Sequence, residues 1–153
     1  MMNSKKGFTL IELIVVISII GVLSTLIINN LNDARARARD SKRKQELSGL
    51  KTALRLYYND YQTYPDAAAG NSDILGCGAS GTAACGGSGA DFSTTGAVYM
   101  KQLPDFSYYS QDDNGDGFTL KVTLENPSDP DLTTSQASCD GVYEDTDFVV
   151  CQD

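Results

Sequence analysis

The chain has 153 residues, room for one domain of ordinary size, with 41% apolar residues, 21% charged residues and a net charge of −8. It contains no histidine and no CxxC pair, which argues against Cys/His zinc and redox sites and excludes every nucleophile that needs a histidine base. The charge is unevenly divided. Residues 1–55 carry ten Lys/Arg against four acids, a net of +6, whereas residues 56–153 carry two against sixteen, a net of −14. An acidic C-terminal part argues against nucleic acid as its partner and suits an exported or cation-binding surface.

In chain order, a short basic segment ending Lys5-Lys6-Gly7 precedes an apolar run from Phe8 to Ile28 whose one charge is Glu12. As a helix, its 21 residues reach about 30 Å, the hydrocarbon thickness of a bilayer. The run is longer than the apolar core of an ordinary signal peptide and lacks a small-x-small cleavage site, so it reads as a membrane span. A carboxylate inside a span costs roughly 2.5–3.5 kcal/mol near its centre, so Glu12 is expected to have a partner and a role. Beyond Asn29-Asn30 the helical pattern continues. Leu47, Leu50, Leu54, Tyr57 and Tyr61 recur at helical steps, and Tyr64-Pro65 ends the helix. One helix from about Phe8 to Asp60 is expected, apolar in its first half and amphipathic in its second.

The band Arg35, Arg37, Arg39, Lys42, Arg43 and Lys44 follows the run, against Lys5 and Lys6 before it. Taken alone, that bias would place the C-terminal side in the cytoplasm. The cysteines and the acidic C-terminal part point the other way, as does the leader motif discussed below, and the reading follows them. The basic band is expected to face acidic lipid headgroups, the acidic parts of neighbouring subunits, or solvent.

From Asp66 to Thr95 the composition is that of a loop, rich in Gly, Ala, Ser and Thr, with no phosphate-binding GxxxxGK[ST]. Two strands are expected at Phe106–Ser110 and Phe118–Glu125 and a third at Asp147–Cys151. The four cysteines, Cys77, Cys85, Cys139 and Cys151, allow three disulfide pairings. Local pairing, Cys77–Cys85 with Cys139–Cys151, closes the shortest loops and is favoured, while four reduced buried thiols is the other reading. Between the first two strands, Asp112-x-Asn114-x-Asp116-Gly117 has the alternating oxygen spacing of a calcium loop. Thr123 stands where a full EF-hand needs glutamate, and Asn-Gly is also a plain turn signal.

Gly7-Phe8-Thr9-Leu10-Ile11-Glu12-Leu13 resembles the cleavage and methylation motif of type IV pilins and type II secretion pseudopilins. The resemblance implies cleavage by a prepilin peptidase between Gly7 and Phe8, N-methylation of Phe8, and subunit docking through Glu12. Glu12 would then neutralise the new Phe8 amine of a neighbouring subunit. The family commonly carries a proline near Asn29, which this chain lacks. Val98–Pro104 looks like the short helix and Leu-Pro entry before the sheet of the major pseudopilins, and the Cys139–Cys151 block resembles the loop that closes many pilins. The major pseudopilins bind calcium in a loop of the sheet region, which adds Asp129 and Asp131 to Asp112, Asn114 and Asp116 as candidate ligands.

The fold implied is α+β, a long N-terminal helix packed on a small antiparallel sheet in the pilin lollipop form. The divisions are a cleaved leader (1–7), a transmembrane or filament-core helix (8–28), an amphipathic half (29–62) and a globular head (63–153) with a loop region (66–95) and a sheet (106–153). The implied function is structural, with no catalysis and no cofactor other than calcium. The chain would be a single-pass protein of the inner or cytoplasmic membrane until it assembles into a periplasmic or surface filament for adhesion, motility, DNA uptake or secretion. Its partners would be identical subunits, minor pilins, the prepilin peptidase, the membrane, and the assembly platform with its ATPase. Nucleic acid enters only if the filament takes up DNA. The alternative is a signal-anchored extracytoplasmic binding domain that never polymerises.

Overall fold

A computed structural model describes residues 7–112 and 114–152, with residues 26–30 described as backbone only. The chain divides into two compact units between Ala36 and Arg37. Helix α1, Leu10–Tyr61, supplies the described secondary structure of the first unit and the first element of the second. In the first unit its apolar side chains lie open, Leu10, Ile11 and Leu13 being 76%, 69% and 58% exposed. Ser18, Ser24 and Thr25 turn their hydroxyls back onto the carbonyls of Ile14, Ile20 and Gly21 at 2.7–2.8 Å, which leaves the helix surface apolar. Among the described residues no helix is long and apolar enough to cross a membrane. The run Phe8–Ile28 passes into residues whose side chains lie outside the description.

The second unit is built on the amphipathic stripe. Leu47, Leu50, Ala53, Leu54 and Tyr57 are at most 4% exposed and lie at steps of three and four, the spacing that puts them on one helix face. Tyr61, expected in the same stripe, is 38% exposed and stacks on Tyr57 with ring centroids 4.4 Å apart. The helix stops at Tyr61, four residues before Pro65. Gln62 takes a left-handed φ of 57° and its N–H donates to the Tyr58 carbonyl at 2.7 Å.

The C-terminal sheet has the order β5–β6–β7, all antiparallel, from Tyr108–Gln111, Phe118–Thr123 and Asp147–Cys151. Tyr109, Phe118, Leu120 and Val122 alternate along the strands and join the core with the α1 stripe. Both sheet edges are covered. The Tyr109 N–H donates to Asn71 O, while helix α2, Asp131–Ala137, caps the β7 edge through Ser135 Oγ on Val149 N–H and Gln136 on Asp147 O. Nothing in DLTTSQA announced this helix, because its core contact is a single apolar side chain, Leu132, 3% exposed. The disulfides are Cys77–Cys85 and Cys139–Cys151.

Two sequence readings are corrected. Residues 66–95 are not a bare loop. They hold β1 (Asp66–Ala67), β2 (Ile74–Leu75) and β3 (Phe92–Ser93), and they place Ile74 and Phe92, both 0% exposed, in the core. Small residues around these two side chains hide them in the average composition. Val98–Met100 is not a helix but strand β4, paired antiparallel with β3. A valine–tyrosine–methionine triplet beside a partner strand gains ladder hydrogen bonds, whereas a helix this short cannot repay its nucleation.

Gly76 marks the closest packing in this region. A Cβ there would stand 2.8 Å from the Phe92 ring and 2.9 Å from Pro65 Cβ. Gly76→Ala is therefore expected to lower stability by about 1–3 kcal/mol through overpacking, read as a shift of the urea midpoint without a change in slope. An unchanged midpoint would show that the ring and the proline can move apart.

Candidate processing and assembly site

The first turn of α1 forms a reciprocal cap. Thr9 N–H donates to Glu12 Oε2 at 2.9 Å, Thr9 Oγ1 donates to the same oxygen at 2.7 Å, and Glu12 N–H donates to Thr9 Oγ1 at 3.4 Å. This is the capping-box arrangement, threonine at the cap and glutamate three residues on, with the carboxylate also favoured by the positive end of the helix. Gly7 lies outside regular structure with no neighbour within 4 Å of a Cβ built on it, and Phe8 is 84% exposed. Glu12 lines a shallow apolar hollow with Phe8, Ile11, Val15 and Val16. The chain thus presents Gly7 and Phe8 outside regular structure, followed by a carboxylate held in place at the rim of an apolar surface. Residues 1–6 of the expected leader lie outside the described residues.

The basic band is largely occupied within its own chain. Arg39 holds both Glu125 oxygens, at 2.9 and 2.5 Å, and Arg43 adds a contact to Glu125 at 2.9 Å. Lys44 Nζ sits between Asp129, at 2.9 Å, and Asp131, at 2.7 Å. Beneath them Asp40 is 0% exposed, accepts the Glu125 and Asn126 backbone N–H groups at 2.9 Å each, and pairs with Arg43 at 3.1 Å. The sequence offered lipid, neighbouring subunits or solvent as partners for this band. For Arg39, Arg43 and Lys44 the structure supplies the segment after β6 instead.

These pairs set a pH window. The Arg39 hydrogen bond holds Glu125 below its ordinary carboxylate range. Burial pushes Asp129 up, but its hydrogen bonds from Lys44 and the Asp131 backbone outweigh this and leave it lowered. Burial lowers Lys44, and its bonds to Asp131 and Asp129 reverse that and leave it raised. The carboxylate share of the stability is present above the unfolded carboxylate values and is lost as pH falls through the lowered folded ones. The lysine share is present below its unfolded value and is lost as pH rises through the raised folded one. Urea midpoints are thus expected to be level across neutral pH and to fall below about pH 4 and above about pH 10.5. A midpoint that is flat at both extremes would mean that the pairs do not contribute.

The candidate calcium ligands are divided in the structure. Asp112 Oδ1 accepts the Asp116 N–H at 3.0 Å, and Asp116 Oδ1 accepts the Tyr58 hydroxyl at 3.1 Å. The Gly115 carbonyl of the same turn accepts Tyr64 N–H at 2.8 Å, so the turn is pinned to the segment that follows α1. Asn114 is exposed on it, while Asp129 and Asp131 hold Lys44. Among the described residues no three Asp, Glu, Cys or His side chains gather as a metal-holding group.

A long helix that opens on a capped carboxylate in an apolar surface, followed by a disulfide-stapled antiparallel head, defines a pilin-like subunit. Residues 2–28 match the prokaryotic N-terminal methylation motif. The chain is 30% identical over 127 residues to type II secretion system core protein G of Vibrio cholerae, a match covering 78% of this chain and 82% of that protein. It is 36% identical over 73 residues to core protein G of Escherichia coli, covering 48% and 50% of the two chains. It is 40% identical over 64 residues to the type IV major pilin protein PilA of Myxococcus xanthus, covering 42% and 29%. The chain belongs to the type IV pilin and type II secretion pseudopilin family. It spans about half of the Escherichia coli relative and less than a third of the Myxococcus xanthus one. No solved structure gives a significant match.

Proposed function

We propose that this chain is a structural subunit that is cut between Gly7 and Phe8, methylated on Phe8, and polymerised through the apolar first half of α1. The observation that carries this is the Thr9–Glu12 cap at the head of a helix whose apolar side chains nothing in the described chain covers. A neighbour's helix supplies the missing cover, and its Phe8 amine supplies the charge that offsets burial of Glu12. Until then Thr9 satisfies the carboxylate, so the subunit can wait in the membrane without an unpartnered acid. The subunit begins as a single-pass membrane protein with the head on the extracytoplasmic side, where the two disulfides form. Its partners are further copies, minor subunits, the prepilin peptidase and the assembly platform with its ATPase. Of the two filament types, the match covering most of a relative is to a secretion core protein, which favours the pseudopilus.

The test is the mass of the N-terminal peptide from membranes of cells that carry the peptidase. A chain beginning at N-methylated Phe8 is the expected result. A chain retaining Met1 would favour the non-polymerising anchored domain, and one cut after the apolar run an ordinary secreted protein.

A further inference from the structure

Where α1 ends, three segments far apart in the chain surround an open cleft of about 270 Å³ that the filament reading does not use. Residues 63–66 form one wall, Gly81 and Thr82 of the Cys77–Cys85 loop a second, and Gln111, Asn114 and Gly115 of the β5–β6 turn a third. The walls are tied to one another. The Tyr57 hydroxyl donates to Gly81 O at 2.7 Å, Tyr64 N–H donates to Gly115 O at 2.8 Å, and Gln111 Nε2 donates to Tyr64 O. Gly81 has a left-handed φ of 69°, and a Cβ there would stand 3.1 Å from the Tyr61 ring and 3.2 Å from the Tyr57 hydroxyl, so glycine lets that wall come this close. The charge of the cleft is one-sided. Among the described residues Asp66 is the one charged side chain that lines it, and no hydrogen bond or ion pair engages its exposed carboxylate. Burial raises the Tyr57 hydroxyl, and Tyr61 and Asp66 add to that rise, so the carboxylate acts on the floor of the cleft. Asn114 is exposed as well, and its amide has no partner among the described residues. Lys101 and Lys121, the two cations of residues 56–153, do not line the cleft.

We infer that this cleft is a binding site for a primary alkylammonium group, carried by a free diamine or by a lysine side chain of a protein. An ammonium has three N–H donors and needs acceptors, and the cleft offers the Asp66 carboxylate, the Asn114 amide oxygen and the Thr82 hydroxyl. The alkyl stem has Pro65 and Leu75 to lie against while its charged head stays at the wet rim. An anion is disfavoured, because the lining holds a carboxylate and no cation among the described residues. A neutral ligand covers Asp66 without pairing its charge, which costs desolvation with no return. A divalent metal ion finds a single carboxylate where it needs several oxygen ligands. The inference stands apart from polymerisation, because every residue in it belongs to the second unit.

The test is saturation-transfer NMR on the full chain in nonionic detergent micelles at physiological ionic strength, where diffuse attraction to the acidic surface is screened. Cadaverine and Nα-acetyl-lysine N-methylamide are the cationic probes. The Nε-acetylated form of the lysine derivative is the neutral counterpart, and glutarate the anionic one. At least one amine is expected to bind with a Kd on the order of a millimolar, and neither counterpart is. Binding of cadaverine alone supports the site with a free diamine as its ligand, and binding of the lysine derivative supports it with a side chain. Asp66→Asn, at an exposed position, should weaken binding about tenfold and Asn114→Ala several-fold. Asp105→Asn, at an exposed acid outside the cleft, should leave the affinity unchanged. No transfer to either amine, an affinity indifferent to Asp66→Asn, an equal loss with Asp105→Asn, or equal binding of the acetylated form would each overturn the assignment.

Discussion

Glu12→Ala is expected to abolish filament assembly while leaving the subunit in the membrane and cleavable at Gly7. The alanine removes two things at once: the carboxylate that would meet a neighbour's amine, and the acceptor for Thr9 N–H and Oγ1. The cap contributes about 1 kcal/mol at a helix start, too little to account for complete loss of assembly. Glu12→Gln separates the two. A glutamine carbonyl still accepts from Thr9 but carries no charge, so failure of both variants assigns the defect to the missing charge. Assembly of the glutamine variant at wild-type level would make the cap the essential contact and would remove the ion pair from the mechanism. Filaments on membranes can be counted by electron microscopy or by shearing and immunoblotting.

Asp40→Ala is expected to be the most damaging single change in the second unit. Asp40 is fully buried, accepts two backbone N–H groups from Glu125 and Asn126, and pairs with Arg43. Its removal leaves two donors without a partner and loosens the segment that leads to α2. Breaking a buried charged contact of this kind costs roughly 3–5 kcal/mol, a large share of the stability of a small domain. Urea unfolding followed by tyrosine fluorescence reads the loss directly. Asp40→Asn keeps the acceptor oxygen and should cost about half as much. A loss below about 1 kcal/mol for the alanine would mean that water replaces the carboxylate, and the packing described around it would be wrong.

What the sequence made legible follows from how the signal is written in it. The α1 stripe at Leu47, Leu50, Leu54 and Tyr57 is periodic, so helix and core face were both readable, as was β6 from its alternation, whereas β7 was expected as a short apolar run around Phe148–Val150. Periodicity did not distinguish Tyr61, which lies on the same face and stacks on Tyr57 but stays 38% exposed. Ile74 and Phe92 were missed for another reason. They are isolated large residues in a Gly- and Ala-rich segment, and only the fold shows that both reach the core.

The charged band shows the same limit at the level of a site. Arg39, Arg43 and Lys44 are recognisable as a basic run, and Glu125, Asp129 and Asp131 as part of an acidic head, but 80 or more residues separate them. Nothing local joins the two, and Asp40, alone among basic neighbours, looks like a surface residue until its two backbone donors are seen. The first turn of α1 is the opposite case. Thr9 and Glu12 are three residues apart, so their cap is a local structure that the sequence specifies by itself.

The proposed assembly is tested most directly by cryo-electron microscopy of filaments purified from cells that express the wild-type chain. The expected map shows subunits beginning at Phe8, the apolar halves of α1 packed together at the core, and each Glu12 carboxylate within about 4 Å of a neighbouring subunit's N-terminal amine. Filaments in which Glu12 faces solvent or lipid, or a chain that retains Met1–Gly7 and stays monomeric, would contradict it.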